Sequence, residues 1–286
     1  MANMCVMSSL YRRAVLSFLP IPLLLLLYYD GASASVPLAE TAEWVARQAD
    51  NRDIGRDGRF DLRMRLFDRQ QRVRERELTI LTRRPREGAK NATSGAGDRI
   101  LIRFTYPNDI KGTAFLVWEH PDGDDERFLY LPGLGRTRRI AGAEAQDSFV
   151  GSDFTYEDIS GRELDDYTYS MVEQDATWTA PDGQRVPAYR IESRAKDPQA
   201  RFPRVVSTVR KDNFVIVHAD IHNRRDERQK VYDVRRLEQV QSIWTLSEIV
   251  MTNTAEQTHT ELVVKSVRYN TGLEEADFSR RELERK

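Results

Sequence analysis

The sequence predicts a mainly β protein built on one long antiparallel sheet that has to curl, and three observations carry that prediction. From Arg59 onward the apolar residues recur with a period of two. About thirteen such runs follow one another, separated by short turn signals such as Pro181-Asp182-Gly183 and Lys211-Asp212-Asn213. Almost no helical period lies between them, which excludes alternating strand–helix units and leaves antiparallel neighbours. A flat sheet of that many strands would leave long unpaired edges, so it must curl or close.

Taken in order, the chain opens with Arg12 and Arg13, an apolar run over residues 14–29, and Gly31-Ala32-Ser33-Ala34. A basic flank, an apolar stretch shorter than the ~20 residues that cross a bilayer, and small residues at A-x-A spacing read as a secretory signal peptide. Cleavage is expected after Ala34, which leaves residues 35–286 as the mature domain. The one cysteine, Cys5, departs with the signal, so no disulfide, thiol enzyme or cysteine-bound metal is expected. Losing Arg12, Arg13 and Asp30 moves the formal charge from −1 to −2. Such a balance argues against a nucleic-acid binder, whose affinity rests on clustered positive charge.

Next, "LAETAEWVARQADNRD" sets Leu38, Ala42, Val45 and Ala46 at helical spacing beside Trp44, which predicts one short amphipathic helix. In "RFDLRMRLFD" the residues Phe60, Leu62, Met64 and Leu66 face one way and Arg59, Asp61, Arg63 and Arg65 the other. "DRQQR" turns the chain and "VRERELTIL" returns as a hairpin partner. "RPREGAKNATSGAGD", with the sequon Asn91-Ala92-Thr93, has no periodicity and reads as a solvated loop. Strands resume with "RILIRFTY", "TAFLVWEH", "ERFLYLP" and "RTRRIA". Seven more follow a short interruption, from "DDYTYSMVEQ" to "HTELVVKSVRYN". "TAFLVWEH" and "FLYL" are apolar on both faces, so one face of the curled sheet is expected to be covered by the helix and loops, leaving an apolar space.

In their order, "DRILIRFTYPNDIKGTAFLVWEH", "RFLYLPGLGRTRRIAG" and "SFVGSDFTYEDIS" resemble the bacterial outer-membrane lipoprotein-sorting family, the LolA-like periplasmic carriers. That resemblance covers roughly residues 54–280. It implies an incomplete, half-open antiparallel β-barrel of about 11–13 strands, with short helices as a lid or plug over an apolar cavity. It also implies a periplasmic, monomeric carrier whose cargo is a lipidated protein or another lipid, with an inner-membrane transporter and an outer-membrane acceptor as partners. In the carrier an arginine holds the lid shut; here Arg63, Arg65, Arg74 and Arg76 are present without a matching motif.

The interruption "SFVGSDFTYEDIS" sets Asp153, Glu157 and Asp158 among aromatics. Thr155 is placed to cap a one-turn helix with Glu157 and Asp158 in its first turn, where the helix dipole favours them. Phe149, Phe154 and Tyr156 then form the apolar side of a lid, and the carboxylates are expected to be structural rather than catalytic. Lining the cavity, the sequence nominates Met64, Ile102, Phe104, Trp118, Tyr130, Met171 and Trp244.

His218 and His222 share one face of a strand but lie about 13 Å apart, too far to bind one metal ion. Gly133-Leu134-Gly135-Arg136 matches the start of a nucleotide fingerprint, but Arg138 stands at the third glycine position, so a tight turn is expected. Arg136, Arg138 and Arg139 either face solvent or meet an anionic headgroup or acidic partner. No G-x-S-x-G, H-E-x-x-H, S-x-x-K or G-K-[ST] motif occurs. The expectation is therefore a binding protein with no catalytic residues, metal or cofactor. The alternatives are an accessory protein docking on an inner-membrane lipid or RND-type exporter, and a hydrolase acting on a lipid or glycan.

Overall fold

The computed structural model describes residues 40–84, 97–120 and 123–285. The predicted signal peptide with its cleavage site, Leu38, and the glycine-rich loop with its sequon lie outside the described residues.

A short helix α1 (Ala42–Asp50) comes first, its N-terminus closed by the Thr41 hydroxyl, which accepts the Trp44 N–H at 3.1 Å. Six strands follow: β1 (Asp57–Phe67), β2 (Val73–Arg83), β3 (Arg99–Tyr106), β4 (Ala114–Trp118), β5 (Glu126–Leu131) and β6 (Arg136–Ile140). Residues 141–166 hold only short helical turns and α2 (Tyr156–Ser160). Seven more strands complete the sheet: β7 (Tyr167–Thr179), β8 (Arg185–Ala195), β9 (Arg204–Arg210), β10 (Ile216–His222), β11 (Arg228–Val240), β12 (Ile243–Asn253) and β13 (Thr258–Tyr269). A one-turn helix α3 (Arg280–Leu283) ends the chain.

All thirteen strands join one antiparallel sheet in the order β6-β5-β4-β3-β2-β1-β13-β12-β11-β10-β9-β8-β7. Each half is a meander, and the halves meet at a single non-local seam where β1 pairs with β13, Met64 opposite Leu262. Among the described residues the sheet does not close: β6 and β7 are its edges, and it forms an open half-barrel. The segment joining those two edges in sequence is residues 141–166.

Alternation of side chains assigns the two faces. Along the seam Leu62, Met64, Leu66 and Leu262 point inward, joined across the register by Leu78, Ile102, Phe104, Phe115, Val117 and Leu129. Their chain neighbours Leu101, Ala114, Leu116, Phe128 and Tyr130 point outward, and this second apolar face is covered by the C-terminal residues Phe278 and Leu283, both buried. The double-sided strands "TAFLVW" and "FLYL" are thus sandwiched between the interior and the C-terminal segment. Arg103 fixes that segment by donating to the carbonyls of Glu282, Leu283 and Arg285, which satisfies acceptors that a helix end leaves free. At the β7–β9 end, α1 lays Ala42, Val45 and Ala46 on Tyr189, Ile191 and Val209. Between β5 and β6, Gly135 takes φ +59, the left-handed value that ends the tight turn expected there.

Candidate functional site

Residues 141–166 fold into the sheet's concave face rather than bridging its edges by pairing. Their core is aromatic. Phe149 is fully buried, with ring centroids 5.9 Å from Phe104, 5.6 Å from Phe115 and 5.5 Å from Tyr156. Phe154 and Tyr156 are buried in the same cluster. This plug therefore occupies one end of the interior, and the three residues nominated for a lid are the ones that fill it.

Polar contacts hold the plug to the sheet. Asp153 carries four of them: its carboxylate accepts from the hydroxyls of Thr258 and Thr260, and its backbone N–H donates to Thr260 Oγ1 at 3.0 Å. Lys230 donates to the Asp153 carbonyl at 2.6 Å, and burial pushes its ammonium below the usual lysine range. From β2, Arg76 donates to the Val150 carbonyl at 2.5 Å with its guanidinium over the Phe104 ring, and burial lowers it too. Thr155 caps α2 as expected, and the Asp158 carboxylate accepts in return from the Thr155 N–H; Tyr167 donates to Glu157 at 3.1 Å, and Arg162 pairs with Asp158 at 3.0 Å. Asp153, Glu157 and Asp158 thus each have a structural partner.

Among the four candidate lid arginines, Arg76 is the one with a hydrogen bond to a described residue of the plug. Arg63 pairs with Glu75 at 3.4 Å, Arg65 with Glu261, and Arg74 lines a polar cavity of about 330 Å³ beside Asp153 and Lys230. Its inward position was open to reading: Arg74, Arg76, Leu78 and Ile80 alternate on one face, so a cation there has to find an acceptor inside.

The seven residues nominated as cavity lining separate into four places. Met64, Ile102 and Phe104 lie together under the plug. Trp118 and Tyr130 do not join them: they sit on the outer face, where Trp118 Nε1 donates to the Phe278 carbonyl at 2.7 Å. Their strands are apolar on both sides, and periodicity alone does not say which side is inward. Met171 lies under α1. Trp244 belongs to a further cluster with Val217, Trp178 and Leu246, continuous with the central one through Tyr232 and Ile249.

Beyond the plug the concave face is apolar and only partly covered. Phe60, Ile80, Ile100, Ile249 and Val264 pack on the central cluster yet keep accessible surface. This stripe keeps accessible surface that the residues beneath the plug do not. A second cavity, about 570 Å³, is lined by Gln146, Arg201, Arg224 and Arg225 among others. On the outer face His218 sits 2.8 Å from Asp233 and 3.6 Å from Asp220, which raises its pKa chiefly through the bond to Asp233. Arg136 and Arg139 are exposed on the edge strand β6, and Arg138 pairs with Glu144 at 3.3 Å.

Residues 96–285 match the model of a family whose description is "uncharacterized protein". No curated protein matches. Among solved structures, the chain is similar to an outer membrane lipoprotein-sorting protein domain from Vibrio parahaemolyticus, with 28% identity and a TM-score of 0.74 over 85% of this chain and 98% of that one. It is similar to the same degree to a DUF1329 family protein from Desulfovibrio piger, with 27% identity and a TM-score of 0.74 over 85% and 97%. A LolA superfamily protein from Nitrosomonas europaea shares the fold at 13% identity, with a TM-score of 0.62 over 85% and 99%.

Proposed function

The chain belongs to the family it matches over residues 96–285, and on that premise we propose that it is a LolA-like carrier, holding the acyl part of a lipid or lipidated protein on the concave face of its half-barrel. The observation that carries this reading is the way the interior is filled. A segment with no strand pairing to either sheet edge occupies the concave face, its aromatic side inward, held at the rim by Arg76, Lys230 and the two threonines around Asp153. Such a plug can leave without breaking the sheet. The similarity to a lipoprotein-sorting domain supports the same conclusion.

Binding is non-covalent and uses no cofactor or catalytic residue. Each CH₂ taken from water contributes about 0.8 kcal/mol, so one ordinary acyl chain suffices for firm retention. Release is then the costly step, which an acceptor overcomes by competing for cargo or for the plug. The protein works as a periplasmic monomer after loss of residues 1–34, between an inner-membrane transporter and an outer-membrane acceptor.

The test is mass spectrometry of an organic extract of protein purified from a periplasmic fraction without detergent. Stoichiometric lipid is expected. An empty extract, with no binding after lipid is added, would overturn the reading. The exposed arginines of β6 favour a second one, docking on an acidic surface of an exporter; there Arg136→Glu with Arg139→Glu abolishes co-purification while leaving lipid content unchanged.

A further inference from the structure

Arg52 lies in the connection between α1 and β1. Its Nη1 donates to the Trp244 carbonyl at 3.3 Å, a long bond and its one hydrogen bond with a described residue. It is in no ion pair with any described residue. The titratable groups that act on it most are the hydroxyls of Tyr232 and Tyr269, both neutral at pH 7, ahead of Asp50. Tyr269 is itself engaged, its hydroxyl 2.8 Å from Thr245 Oγ1.

A guanidinium carries five N–H donors and strongly resists desolvation, so an arginine drawn inward is ordinarily matched. Elsewhere this molecule obeys that rule. Arg99 meets Glu275 at 2.7 Å, Arg127 meets Asp125 at 2.8 Å and Arg204 meets Glu192 at 2.9 Å. Arg103 and Arg76, which lack a carboxylate, spend their donors on backbone carbonyls within normal bonding distance. Arg52 has neither arrangement. Burial depresses its pKa, yet it keeps part of its surface accessible, as Tyr232 and Trp244 beside it do. Arg52, Tyr232 and Trp244 are thus each partly buried, with surface left accessible.

Resting on the carrier reading, we propose that Arg52 receives the anionic head of an amphiphile, a carboxylate or phosphate, whose tail lies along Trp244, Leu246, Tyr232 and Ile249. The chemistry is complementary. A planar guanidinium bonds two oxygens of either anion at once, and the low-polarity walls strengthen that pairing. The tail runs from there over Phe60 and Val264 toward the plug, along the partly covered stripe.

Three ligands of one chain length test this by displacement of a fluorescent acyl probe: dodecanoate, dodecyl phosphate and methyl dodecanoate. In the wild type at least one anion is expected to bind about tenfold or more tighter than the ester, and the tighter of the two anions identifies the head group. Arg52→Met is expected to erase that gap while leaving ester affinity unchanged, and Arg52→Lys to keep most of it. If R52M melts far below the wild type, Arg52→Gln, which retains a donor for the Trp244 carbonyl without charge, is read in its place. No acid–ester gap in the wild type, or a gap that survives loss of the charge, overturns the assignment of Arg52 and leaves the carrier reading standing. Failure of all three ligands to bind the wild type overturns the carrier reading and this proposal with it.

Discussion

Arg76 and Val150 are joined across the rim of the half-barrel: the guanidinium donates to the Val150 carbonyl, and Val150 holds a left-handed backbone at φ 49°. A β-branched residue pays about 1–3 kcal/mol for that conformation. The plug is therefore clamped at a strained point by a single charged donor.

Arg76→Met removes the donor while keeping the apolar stem. A hydrogen bond from a charged group is worth about 1.5–3 kcal/mol, so the segment around residues 149–153 should open more often. Hydrogen exchange at those amides is expected to quicken while the seam between β1 and β13 stays protected. Equal protection in both proteins would show that the clamp is idle.

Asp153→Asn leaves one amide oxygen where two hydroxyls now donate to a carboxylate. Thr260 is fully buried, so its hydroxyl loses its acceptor without access to water. The expected cost is about 1–3 kcal/mol, read as a fall in Tm. Thr258→Val, at a less buried position, should cost less than the aspartate change.

Phe149→Ala empties the centre of the plug. Phe104, Phe115 and Tyr156 lose their shared neighbour, with a cost of about 3–5 kcal/mol. The void opens on the concave face, so a fluorescent acyl probe should bind more of this variant at equal concentration. A less stable protein with unchanged uptake would separate the plug from the binding surface.

Glu163 lies near the C-terminal end of the plug, and its pKa is pushed up to about 7 by desolvation and by Asp125 and Glu119 nearby. A carboxyl raised in the fold stabilises it below its ordinary value near 4.5, and that contribution fades as pH climbs to about 7. Glu163→Gln removes the penalty of ionisation. Its Tm should exceed that of the wild type at pH 8, and the two should converge at pH 4.

The thirteen strands were legible because each carries its own alternation and ends at a turn residue, and the cap of α2 because Thr155 and Asp158 stand at capping distance. Alternation tells which residues share a face, and for Leu62, Met64 and Leu66 their charged neighbours also show which face is inward. For Trp118 and Tyr130 no such contrast exists, since the residues on either side are apolar too. What decides their side is the C-terminal segment, whose anchors Phe278 and Leu283 stand among charged residues and carry no periodic signal. Pairing of β1 with β13 was equally hidden, because turn signals name only the next strand along. Arg52 was overlooked for a related reason: a single arginine in an irregular connection shows its lack of a counter-ion only once the surrounding strands are in place.

The seam between β1 and β13 has a consequence for how the chain becomes a protein. As it emerges N-terminus first, from a ribosome or a translocation channel, β1 to β6 can pair locally, but β1 keeps one unsatisfied edge until β13 arrives. Closing so long a stretch of chain raises contact order and slows the last step. The interior cannot be completed before β13 has been made, and until then the nascent chain carries an open edge beside Met64 that invites aggregation.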